Sequence, residues 1–285
     1  MLHPSIYLCE KLIMKERKKA IYALEDQIVE IYRSENLIPL RGKDSSYLLN
    51  GKPILKWFGD VTRRCWVTNN ELFKKKKINY HLSIDDLLFS SDEIIYFNAH
   101  LYLYRDFINN PVSDSQEFNG HRFFPMHENL ASKRYDMYLG AMYEKVYNYW
   151  DRIGDLISSF FPEKFKGNVY FGKTINKLSK DYISNPDLQW LINFVNGEYK
   201  KFNDDRIDIV HYISKNTSQK WQLLKGAQNL EDAEEFQQRR LAYPEYFKSM
   251  NETCKIGFEK TLNFLSVIDE TIYKDADKLL QRINN

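Results

Sequence analysis

The apolar positions of this chain recur mostly at helical spacing. Between Tyr135 and Phe161, the residues Leu139, Met142, Val146, Tyr149, Ile153, Leu156 and Phe160 follow one another at alternating steps of three and four, an unbroken seam along one helix face. Pro162 ends it. From Ile6 to Ile38 the positions Ile21, Leu24, Ile28 and Ile31 repeat in the same way, and Pro39 stops the run. Towards the C-terminus Met250, Cys254, Phe258, Leu262, Leu265, Ile268, Ile272 and Leu279 fit one long amphipathic helix, with Glu and Lys on its outer face. Helices of this length need partners, because an isolated stripe leaves much apolar surface in water.

Two shorter helices are expected between the long ones. Asn185-Pro186-Asp187 is a start signal: Asn caps, Pro takes the first helical position and Asp complements the dipole. Leu188, Leu191, Ile192, Val195, Tyr199 and Phe202 then supply a buried face. Asn203-Asp204-Asp205 reads as a break that offers caps to a next helix, from about Arg206 through Ser214. Leu101 to Phe107 has a helical pattern, whereas Pro53 to Thr68 fits either a strand pair or a short amphipathic helix. The stretch from Asn109 to Asn129, with Pro111, Gly120 and Pro125, reads as a long loop and as the boundary between two parts. The expectation is an all-α protein, a multi-helix bundle with long antiparallel helices. Residues 1–125 would form a mostly helical N-terminal extension of unknown role, and residues 126–285 the main helical domain.

Composition narrows the class. At 285 residues the chain suits one large or two small domains. With 43% hydrophobic and 28% charged residues it is neither a disordered tail nor a membrane protein, and no run approaches the 18 or so apolar residues of a membrane span. Aromatic residues reach 15% against only 11 Gly and 8 Pro, which favours long elements with thick interlocking side chains. Glu10, Lys11, Lys15, Glu16 and Arg17 interrupt the apolar residues near the N-terminus, unlike the uncharged core of a secretory signal. Cys9, Cys65 and Cys254 form no metal-binding spacing and read as reduced thiols of a cytoplasmic protein.

The net charge of +2 hides an asymmetry: residues 1–77 carry 16 Lys and Arg against 9 Asp and Glu. This basic quarter, with the run Lys74, Lys75, Lys76 and Lys77, suits the steering of a polyanion such as RNA; a solvated helix end or loop is the plainer account of the run. Signatures of a phosphate loop, a zinc protease, a nucleophile elbow or an EF-hand are missing. His121 and His127, beside Glu128, read as loop histidines, so no metal site and no cofactor are expected.

One hexapeptide carries chemistry: Arg206-Ile207-Asp208-Ile209-Val210-His211. With 13 Arg and 6 His in the chain, chance supplies roughly 0.3 pairs of this spacing. A second pair, Arg122 and His127, contains Pro125 within the presumed loop and fits a helical site badly. Arg206 and His211 instead follow caps and a two-helix hairpin, with Ile209, Val210 and Ile213 marking a buried side.

Over roughly residues 130–285, a long helix, a second helix and an Arg-x4-His at the head of a third resemble the HEPN superfamily (higher eukaryotes and prokaryotes nucleotide-binding), most of all its bacterial stand-alone members. The resemblance implies a homodimer in which the motifs of two protomers converge in one cleft. It further implies metal-independent RNA cleavage by attack of the ribose 2′-OH, in a toxin or anti-phage effector. Arg206 and His211 would be the catalytic residues. Asp208, three residues before His211 on the same helix face, would orient the imidazole or simply answer the helix dipole. Tyr212 is a candidate for hydrogen bonding or base stacking on RNA, as well as for packing. A nucleotidyltransferase antitoxin is the partner protein implied by analogy. Ile207 stands where the family commonly has a polar residue. That departure keeps a second reading open, a catalytically inactive HEPN-fold module that binds RNA, a nucleotide or a protein. A structural helical protein with a coincidental Arg-His spacing is the third.

Overall fold

The computed structural model describes residues 4–40, 48–49, 51–75, 80–124, 129–165, 169–211, 217–218, 220–221 and 230–276, with residues 4–13, 48, 80–81 and 210–211 as backbone only. Their helices are α1 (Pro4–Ser34), α2 (Ile54–Thr68), α3 (Asn70–Lys75), α4 (Tyr80–Arg105), α5 (Leu130–Ser159), α6 (Phe171–Tyr182), α7 (Pro186–Asn196), α8 (Glu198–His211) and α9 (Leu230–Ile272). Two small antiparallel hairpins, β1–β2 (Leu48–Leu49 with Lys52–Pro53) and β3–β4 (Gln116–Phe118 with His121–Phe123), are the only strands among the described residues. The all-α expectation holds.

Helix α5 is the axis of the fold. The Asn129 side chain caps it by accepting from Ser132 N at 2.7 Å. Its predicted seam is buried at Leu139, Met142, Val146, Tyr149, Ile153 and Phe160. Around that seam pack α4, α6, α8 and α9. Trp150 fills the centre, touching Phe171, Phe194 and Tyr199, and α9 reaches it because Gly257 carries no side chain. A Cβ at Gly257 would meet the indole at 2.3 Å. One core runs from Leu40 to Tyr273, drawing on both sides of residue 125. No helix among the described residues is long and apolar enough to cross a membrane.

Several local expectations are resolved or corrected. Of the two alternatives for the stretch from Pro53 to Thr68 the helix is the one formed, over residues 54–68, with Ile54, Phe58, Val61 and Cys65 buried on one face. The presumed loop between Asn109 and Asn129 contains the β3–β4 hairpin. Its turn is Asn119-Gly120, both in the left-handed region (φ 51 and 74) that a two-residue hairpin turn demands. Helix α9 starts 20 residues before Met250 and carries Pro244 inside it; Ile272 is exposed at its end, and Leu279 lies outside the described residues. Asn185 does cap α7, accepting from Asp187 N and Leu188 N at 3.0 and 2.9 Å, with Pro186 at the first position. Asn203-Asp204-Asp205 does not break the chain. The break falls at Gly197, and α8 runs unbroken through all three residues. Asn and Asp are mediocre helix formers, but glycine is the weaker one.

Candidate functional site

Arg206 is the ninth residue of α8, so the motif begins past the second turn of a helix rather than at its head. Tyr199 and Phe202 are buried on the preceding turns and fix α8 against α5, Phe202 stacking on Tyr143 with ring centroids 5.4 Å apart. The side chain of Arg206 then lies across a stripe of α5. Its Nε donates to Glu144 Oε1 at 3.1 Å and its Nη2 to Glu144 Oε2 at 3.4 Å. The guanidinium sits 4.0 Å over the Tyr147 ring. Glu144, Tyr147 and Asp151 follow at steps of three and four, which places all three on one face of α5.

The stripe is electrostatically coupled. Burial and then Asp151 push the Tyr147 phenol up to about 12. Burial raises Asp151 above the usual carboxylate range, although Phe171 N donates to its Oδ1 at 3.2 Å and Arg206 draws it back down. One turn on, Asp155 is pushed up to about 6 by burial of its carboxyl and then by Asp151, although the residue as a whole counts as exposed. Asp155 and Arg152 face a cavity of about 300 Å³ between α2, α4 and α5, walled by Phe58, Trp66, Phe73 and Leu87. On the other side of the motif helix, Lys201, Asp205 and Ile209 line a cleft of about 520 Å³ closed by α5 and α9. Asp136, Arg239 and Tyr243 complete its wall, and Lys220 pairs with Asp136 there.

Arg206 therefore has its Nε–Nη2 edge and one face occupied from within the chain, while Nη1 makes no hydrogen bond among the described residues. An arginine so placed can present its remaining edge to a phosphate. Asp208 and Ile207 are half-buried on α8. His211 lies five positions further along α8 and about 140° around its axis from Arg206. Its side chain, and all of Tyr212, lie outside the described residues.

Lys74 and Lys75 are exposed at the end of α3, and Lys74 pairs with Glu71 at 2.9 Å, which holds the Glu71 carboxyl below its usual value. Lys76 and Lys77 lie outside the described residues. Among the described residues neither Lys74 nor Lys75 makes a hydrogen bond or ion pair with the Arg206 stripe. Arg122, of the second Arg-x4-His pair, is exposed on β4, in register with Glu117; His127 and Glu128 lie outside the described residues. Cys65 and Cys254 are free and buried, and burial raises both thiols, Cys65 to about 11.

Glu144, Tyr147 and Asp151 were not legible as site residues from the motif alone. They stand at helical spacing on the side of α5 opposite its unbroken apolar seam, where polar residues are ordinary, so no signal in the sequence set them apart.

Comparison with known proteins supplies the family. The profile of the Cthe2314-like HEPN family matches residues 74–272 and takes in α4 to α9, with Arg206 and His211 inside it. It reaches upstream of residue 130, where the likeness drawn from the motif begins, and includes α4, the helix that packs along α5. Neither the curated proteins nor the solved structures compared with the chain gave a match. HEPN domains are in general ribonuclease-type or nucleotide-binding modules. With more than half of its 285 residues matched and an all-helical architecture in agreement, the chain belongs to the Cthe2314-like HEPN family.

Proposed function

We propose that the protein is a metal-independent endoribonuclease, acting as a toxin or anti-phage effector, with Arg206 and His211 as its catalytic residues. The observation that carries this reading is the Arg206 guanidinium, held on α8 by Glu144 and Tyr147 with one edge unspent, five residues before a histidine within the family match. The imidazole of His211 takes the proton from the ribose 2′-OH as the 2′-oxygen attacks phosphorus. The bond from phosphorus to the 5′-oxygen breaks, a second His211 returns a proton to that oxygen, and a 2′,3′-cyclic phosphate remains. Arg206 grips the phosphate and stabilises the charge that builds on it. Asp208 orients His211 from the same helix. Tyr212 and the Lys74, Lys75, Lys76 and Lys77 run contribute RNA contacts.

The 140° between Arg206 and His211 supports a homodimer, since one α8 cannot aim both side chains at one phosphate, whereas a twofold pair supplies two of each. A nucleotidyltransferase antitoxin is the restraining partner by family analogy. The test is labelled RNA with purified protein in EDTA, wild type beside His211→Ala. The expected result is products with 2′,3′-cyclic ends from wild type alone. The second reading, a binding module without catalysis, draws on two features: Ile207 after the arginine, and the carboxylate of Glu144 already on its guanidinium. Retention of RNA on a filter with no cyclic product selects that reading.

A further inference from the structure

The cavity between α2, α4 and α5 is walled largely by rings. Phe58, Trp66, Phe73, Phe160 and Phe165 line it, and all but Trp66 are buried, so the packed core sets its shape. Trp66 stacks on Phe73 with ring centroids 4.9 Å apart, which fixes the indole as well. At about 300 Å³ the space stands at the small end of ligand pockets and suits a small planar molecule. Phe58, Trp66 and Phe73 belong to α2 and α3 and precede the first residue of the family match, so the pocket is not a property of the matched profile.

Most polar groups of the wall are spent within the chain. The Thr62 hydroxyl donates to Phe58 O and the Cys65 thiol to Ser159 O, while the Ser158 and Ser159 hydroxyls donate to Asp155 O and Leu156 O. Arg152, the one cation among the described lining residues, donates from Nε to the Asp86 carboxylate and from Nη1 to Asn148 O. Asp155 differs: its carboxylate makes no hydrogen bond or ion pair among the described residues. With Asp86 matched by Arg152, the wall carries one uncompensated carboxylate beside its rings. Burial and the neighbouring Asp151 make charge on Asp155 costly, and a cation set against it relieves that cost. Aromatic faces favour the same sign of charge.

We propose that this cavity binds a small planar aromatic cation, an arylamidinium or arylalkylammonium, with its ring among Phe58, Trp66 and Phe73 and its charged head on the Asp155 carboxylate. The site does not rest on the ribonuclease reading, and its test does not use cleavage. Benzamidine is the probe, titrated into the full chain by ligand-observed NMR beside benzamide, which has the same shape without the charge. Benzamidine binds saturably, and benzamide binds at least about tenfold more weakly, the scale of a charge-assisted hydrogen bond. Asp155→Asn keeps the size of the side chain and brings benzamidine down to the level of benzamide, with the Tm verifying the fold. Asp85→Asn removes an equal charge from an exposed position of α4 outside the cavity wall and leaves the affinity unchanged. No saturable binding of benzamidine overturns the proposal. So does equal binding of benzamide, affinity indifferent to Asp155→Asn, or an equal loss with Asp85→Asn, which marks general attraction to an acidic surface.

Discussion

At Arg206 three kinds of contact meet on one side chain: a charged pair with Glu144, a stacked ring in Tyr147 and the more distant carboxylate of Asp151. Glu144 competes for the cation that a phosphate would take. Glu144→Gln should therefore tighten RNA binding in a filter assay. It should cost less than about 1 kcal/mol in urea denaturation, because the pair is only partly buried. Asp155 gives a second test at this scale. Its carboxyl titrates near 6 when folded, above an ordinary aspartate, so the folded state holds the proton more tightly between pH 4 and 6. Stability carried by the protonated form is complete below the unfolded pKa and is lost as pH rises through about 6. Denaturation midpoints of wild type should accordingly fall relative to Asp155→Asn across that interval, by a margin damped by the exposure of the residue. A constant difference across the interval would contradict the assignment.

At the scale of elements, the long helices were readable because burial on one face forces a period that the sequence displays directly. The seam of α5 and the cap of α7 are where the pattern placed them. The errors have physical causes. Asn203-Asp204-Asp205 has the composition of a cap but sits where Phe202 and Ile209 hold the helix against the core, and packing overrides local preference. Helix α6 went unread: Phe171, Ile175 and Leu178 stand at helical steps, but three apolar positions over two turns are a short signal. The Asn119-Gly120 turn names a hairpin, although its strands are only three residues long. The contact between α5 and α9 had no signature at all, because Gly257 and Trp150 are far apart in sequence and meet only in the fold. Gly257→Ala should force the indole aside. It should lower stability by about 1–3 kcal/mol, read as a lower Tm with the helical signal retained.

For the whole molecule, the family match takes in α4 to α9 around α5, the main core draws on α2 and α3 as well, and α1 packs on α4 through a small cluster of its own. The motif was legible in the sequence, but its setting was not. Nothing in the hexapeptide foretells that α5 supplies a carboxylate and a ring to hold its arginine. The central claim is that Arg206 and His211 cut RNA, and the rate of cleavage with enzyme in excess, in EDTA, tests it most directly. Arg206→Ala and His211→Ala should each slow cleavage at least about 100-fold, the usual scale for losing a positioned acid or base, with the helical circular dichroism spectrum unchanged. Cleavage by either variant at the wild-type rate would contradict it.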